Sequence, residues 1–282
     1  MPTPLSREEY IEQVYFFRTL RERQATNLAT QEILEHVHEE ILASTQLPYA
    51  IQFLAMELKH SGLLSSGFAR LPHYFTLFQA FVIQQAEKEG LRFNMQSGFL
   101  VLEREAEYRA QEPTPPGLFF YQFEVIARNR LGYDEGLTAM AGDPLYDENW
   151  RGFLELLRRQ GGEFDFAELV YLRSDLYSKE QSRFQPEHDS PAAALFGEKE
   201  GKIAKANRRR DPLYLFAALQ RQLGYPDVPR PRPRDDLGAK FEALQVKLRE
   251  WEARLKLLES EVRGSVDLSQ FGKPELLQGD DE

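Results

Sequence analysis

Cysteine is missing from this 282-residue chain, and with it go disulfides, zinc-thiolate sites and thiol nucleophiles. No run approaches the roughly 20 apolar residues that a membrane-spanning helix needs. The opening Met1-Pro2-Thr3-Pro4-Leu5-Ser6 also lacks the basic-then-apolar pattern of a secretion signal. These absences lead us to expect a soluble, cytoplasmic protein without a membrane span. Basic residues are in the minority, 35 Lys and Arg against 45 Asp and Glu for a net charge of −10, which argues against a nucleic-acid partner gripped by the whole surface. Dinucleotide loops, nucleophile elbows and H-E-x-x-H zinc helices do not occur. The run Gly197-Glu198-Lys199-Glu200-Gly201-Lys202-Ile203 comes nearest to a phosphate loop. It has one residue too few between its glycines, and Ile203 stands where a magnesium-binding hydroxyl is required.

What the chain does have is apolar material, 42% hydrophobic residues with 12% aromatics, enough for a real core at this length. Helical periodicity runs through the first 225 residues. Ser6-Arg7-Glu8-Glu9 reads as a capping box ahead of Tyr10, Val14, Phe17 and Leu20. Thr30 opens a second stripe through Ile33, Val37 and Ile41, and Pro48 starts a third helix that ends at Ser61-Gly62. That third helix is apolar almost all round, so it is expected at the centre of the body. Further helices are expected from Pro72, around Phe99 to Arg109, from Leu118 to Arg130, from Asp143-Pro144 to Gly161, from Asp165 to about Gln181, from Phe196 to Asn207, and from Asp211-Pro212 to near Gly224. Leu91 to Met95 alternates like a short strand, and 182 to 191 reads as a polar loop. With so few strand-like runs, a parallel sheet has nothing to build it.

The expected fold is therefore all-α: a globular body of eight or nine helices over 1–225, a Pro/Arg-rich linker over 226–236, a coiled-coil helix over 237–263 and a tail over 264–282. The prolines at 226, 229, 231 and 233 exclude helix and sheet interior from the linker. Asp-Pro-Leu-Tyr occurs at 143 and 211, and Leu-Gly-Tyr at 131 and 223, but in different order. Both are generic helix-boundary signals rather than a repeat.

Four sets of residues carry the functional reading. The strongest is the stripe Leu237, Phe241, Leu244, Leu248, Trp251, Leu255, Leu258 and Val262, a strict 4,3 alternation that marks a narrow coiled-coil seam. Lys240, Lys247 and Arg254 flank it at g, and Glu252 and Glu259 at e. Lys247 then meets Glu252 of a second chain, and Arg254 meets Glu259, only in a parallel, in-register pair. A second set is Glu35 with His38 and Glu57 with His60, two Glu-x-x-His spacings of the kind that hold iron or manganese in helical bundles. Glu35 points away from the apolar stripe of its helix, so Glu57 is the better ligand of the two. The third is Glu124, set among Phe119, Phe120, Tyr121 and Phe123, with Arg128 placed at i+4 for an ion pair. The fourth is basic. Residues 198–234 carry ten Lys and Arg against four acids, a local charge of +6 that leaves −16 for the rest. Lys199, Lys202, Lys205, Arg208, Arg209 and Arg210 form its core, either as a polyanion site or as a segment docked on the protein's own acids. The function expected is a non-enzymatic scaffold or adaptor that self-associates through the coiled coil and needs no cofactor. A metal-dependent oxidase and a polyanion-binding protein are the alternatives.

Overall fold

The computed structural model describes residues 4–88, 93–160, 165–184, 193–230, 244–249, 251–252 and 254–255. The chain divides into two compact units, Met1–Pro231 and Arg232–Glu282. Among the described residues the fold is all-α, without a strand; its single β-type contact is an isolated bridge between Ser174 and Phe196.

The first unit contains thirteen helices among its described residues, more than the eight or nine expected: α1 (Arg7–Ala25), α2 (Thr30–Val37), α3 (Leu47–Ser61), α4 (Leu64–Arg70), α5 (Leu77–Glu87), α6 (Met95–Arg109), α7 (Pro115–Asn129), α8 (Tyr133–Ala141), α9 (Glu148–Gln160), α10 (Phe166–Leu172), α11 (Asp175–Phe184), α12 (Glu198–Ala206) and α13 (Pro212–Leu223). Their ends follow from local chemistry. Asn94, Thr114, Asp165 and Asp211 each accept a backbone N–H of the first turn they precede, satisfying donors that have no partner inside the helix. Gly62 and Gly224 close α3 and α13 with φ of 75° and 69°, the left-handed conformation that glycine adopts without cost.

Several boundaries differ from expectation. The reciprocal capping box belongs to Thr76 and Gln79 at the start of α5, so that helix begins at Leu77 rather than at Pro72. Ser6 does cap α1, but Glu9 does not turn back to it. Its carboxylate instead accepts from the Gln46 N–H at 2.8 Å and the Tyr74 hydroxyl at 2.6 Å, tying α1 to two distant turns. The helix expected from Asp165 breaks at Arg173-Ser174 into α10 and α11. Asn94 and Met95, expected in a strand, cap and open α6; Leu91 and Arg92 lie outside the described residues.

The central helix is α7. Leu118, Phe119, Phe120, Tyr121, Gln122, Phe123, Glu124, Val125 and Ile126 are all buried, so it is covered on every side. This corrects the expectation for α3, which buries Leu47, Ala50, Ile51, Leu54 and Glu57 on one face but leaves Tyr49 72% and Met56 65% exposed. An apolar composition permits a helix to be central but does not assign it neighbours. Around Phe119 the rings of Phe120, Phe123, Trp150, Phe153, Phe166 and Phe196 lie with centroids 5.1 to 6.3 Å away. Each such pair adds about 0.5–1.5 kcal/mol beyond simple burial.

The proline-rich segment also begins differently from the linker expected. Tyr225, Val228 and Pro229 are buried. The Tyr225 hydroxyl donates to Glu124 at 2.7 Å, Asn129 Nδ2 donates to the Pro229 carbonyl at 3.2 Å, and Arg104 donates to the Asp227 carbonyl at 2.6 Å. Residues 225–230 thus form an extended strap on the body. The rest of the linker, 231–236, and the tail, 264–282, lie outside the described residues.

In the second unit, residues 244–249, 251–252 and 254–255 are helical.

Candidate functional site

The polar centre of the body is a five-residue cluster on α6, α7 and the turn before α9. Arg109 Nη2 donates to Glu105 Oε1 at 2.9 Å and, more closely, to Asp143 Oδ2; Nη1 reaches Asp143 Oδ1 at 3.4 Å. Gln122 Nε2 donates to the same Glu105 oxygen at 2.8 Å, and the Tyr146 hydroxyl donates to Gln122 Oε1 at 2.9 Å. All five residues are buried. Asp143 therefore does not start a helix. Its Oδ1 accepts the Leu145 N–H at 3.0 Å, and its charge answers Arg109.

Two carboxylates facing one guanidinium leave an excess negative charge if both ionise, and burial makes that expensive. Glu105 is the group that responds. Burial raises its pKa, Asp143 adds to the rise, and Arg109 and Gln122 oppose it. Its buried Oε2 has no hydrogen-bond partner among the described residues. Burial alone would lower the pKa of Arg109, but Asp143 and Glu105 outweigh it and hold the guanidinium charged. None of these ionisable groups lines either of the apolar cavities of about 340 and 400 Å³ in the body. The cluster ties α6, α7 and the turn before α9 together inside the body.

Glu124 receives the Arg128 guanidinium at i+4 and the Tyr225 hydroxyl, so its charge is answered inside the body. The four residues of the metal reading are not assembled. Among the described residues no three His, Asp or Glu come together to hold an ion. Glu57 accepts from Arg70 Nη1 at 2.5 Å and Ser66 Oγ at 2.9 Å, while His60 is exposed. Glu35 is exposed and accepts from Gln31 at 2.9 Å; His38 lies just past the end of α2, its buried Nδ1 without a partner among the described residues.

Three of the six basic residues of α12 and the turn after it face neighbouring acids. Lys202 pairs with Glu198 at 2.8 Å, Lys205 with Glu180 at 2.7 Å and Arg208 with Glu168 at 2.5 Å. Arg208 also lies over the Tyr171 ring at 3.9 Å, a cation-π contact. Hydrogen bonds from Lys179 and Lys202 hold the Glu198 carboxyl down at about 2. Lys199, Arg209 and Arg210 remain exposed. The glycine that made this run resemble a phosphate loop has a packing role instead. A Cβ on Gly201 would stand 2.4 Å from Ser174 Oγ and 2.9 Å from Leu176 Cβ, so α12 approaches the α10–α11 corner more closely than any side chain allows.

The seam residues of the second unit present the opposite picture. Leu244, Leu248, Trp251 and Leu255 are helical and 59%, 57%, 68% and 57% exposed. The flanking Lys247, Glu252 and Arg254 are exposed as well. Leu237, Phe241, Leu258 and Val262 lie outside the described residues. No protein-family model, curated protein or solved structure matches the chain.

Proposed function

We propose that this protein is a non-enzymatic helical scaffold that self-associates through its C-terminal helix, parallel and in register. The observation that carries the reading is the exposure of Leu244, Leu248, Trp251 and Leu255 at 4,3,4 spacing. Each large apolar side chain held in water forgoes about 1.5–3 kcal/mol of burial, and such a stripe recovers it by knobs-into-holes packing with a like helix. The flanks favour a parallel pair, because Lys247 at g then faces Glu252 at e of the second chain. The body supports a scaffold rather than an enzyme in that its buried ionisable groups are spent on one another.

Light scattering of the full chain over a range of concentrations tests this, repeated with Leu248→Asp and Leu255→Asp. The parent is expected to shift from monomer to dimer mass as concentration rises, and each Asp variant to stay monomeric. A parent that is monomeric at every concentration would overturn the reading.

A further inference from the structure

We infer that the cleft lined by α7, α8, α9, α10 and α13 is a binding site for a neutral, planar aromatic molecule bearing one hydrogen-bond donor. The cavity measures about 400 Å³, at the small end of the range of about 300–1,000 Å³ for ligand pockets. That suits a molecule of two or three fused or linked rings.

Its walls are aromatic and braced. Phe123 and Phe166 stack with centroids 4.4 Å apart and planes 14° apart, and Phe216 leans on them at 6.1 and 5.9 Å. Both Phe123 and Phe166 also pack on Phe119, so the space is held open by the core rather than by surface side chains. Rings fixed in this way offer faces and edges to another flat π-system.

The polar groups specify the rest. Gln160 lines the cavity, and its buried Oε1 has no hydrogen-bond partner among the described residues. A buried acceptor left unpaired carries a real cost, which a ligand N–H or O–H removes. Asp134 and Arg158 also line the cavity, and they face one another at 3.6 Å. Arg158 is held more closely by Glu155 at 2.9 Å, and Glu155 also takes Arg159 at 2.9 Å; these two acids and two bases balance, so a neutral molecule is the best match. Tyr133, 53% exposed, reaches Phe123 at 5.8 Å and forms an aromatic lip. This site belongs to the body alone and stands independently of self-association.

The probe is N-phenyl-naphthylamine, a neutral three-ring fluorophore with one N–H, titrated into the full chain beside its N-methyl derivative, which has no donor. The expected result is saturable binding of one probe per chain. Ala127→Leu, which fills the cavity, should weaken both probes about tenfold or more by excluding ring volume. Gln160→Leu should weaken the N–H probe about fivefold and leave the N-methyl derivative unchanged. Absence of saturable binding overturns the proposal, as does binding that survives Ala127→Leu in a protein whose melting matches the parent. Should Ala127→Leu fail to fold, Gln160→Leu decides alone: equal effects on the two probes, or none on either, overturn the assignment.

Discussion

The body and the C-terminal helix handle their costly side chains in opposite ways. In the body, Arg109 answers Glu105 and Asp143, Arg128 answers Glu124, and Arg70 answers Glu57. Phe119 lies wholly inside a shell of other rings. The helical residues 244–249, 251–252 and 254–255 leave three leucines and a tryptophan in solvent. One region pairs these charges within itself. The other carries an exposed apolar stripe, and stripes of this kind mark interaction sites.

If the body is self-contained, the largest effect should come from opening its clamp. Arg109→Met leaves Glu105 and Asp143 buried without their cation, and about 3–5 kcal/mol of stability should be lost in urea unfolding. Adding Glu105→Gln and Asp143→Asn to that variant should restore most of the loss, because the uncompensated charge is then gone. A loss below about 1 kcal/mol would show that the clamp is less isolated from water than its burial indicates.

A smaller effect should appear in the pH dependence. Glu105 has its pKa raised above the ordinary 4.5 in the folded state, so the native protein holds that proton more tightly than the unfolded chain. Its contribution is therefore full below about 4.5 and is lost as pH rises through the folded value. Glu105→Gln cannot titrate. Above about pH 4.5 its stability should fall less with rising pH than that of the parent, as measured by unfolding at several pH values. Parallel curves would contradict this assignment of the proton.

The smallest effect on the body should come from the other region. Leu248→Asp, which is expected to abolish association, should change the unfolding of the body by no more than about 0.5 kcal/mol. A larger change would mean that the C-terminal helix supports the body.

What could be read from the sequence were features whose cause lies within four residues. The Asp165 and Asp211 caps, Gly62 and Gly224 as helix ends, and the pairing of Glu124 with Arg128 all belong here. Where the deciding partner is distant, the local pattern misleads. Asp143-Pro144 has the form of a helix start, yet Asp143 is held by Arg109, 34 positions earlier. Ser6-Arg7-Glu8-Glu9 has the form of a capping box, yet Glu9 bonds Gln46 and Tyr74. The cavity beside Phe123 was invisible because five helices make it, none of which has a cavity signal of its own.

The absence of cysteine permits a direct test of the parallel, in-register seam. In Leu244→Cys the only thiol sits at a d position near the start of the stripe. A parallel, in-register pair brings the two copies of that position within disulfide range, whereas an antiparallel pair sets them at opposite ends. Mild oxidation of the full-length variant should convert most of it to a covalent dimer, and Leu255→Asp in the same chain should prevent this. A thiol that stays reduced and monomeric under conditions where a model peptide thiol oxidises would contradict the account.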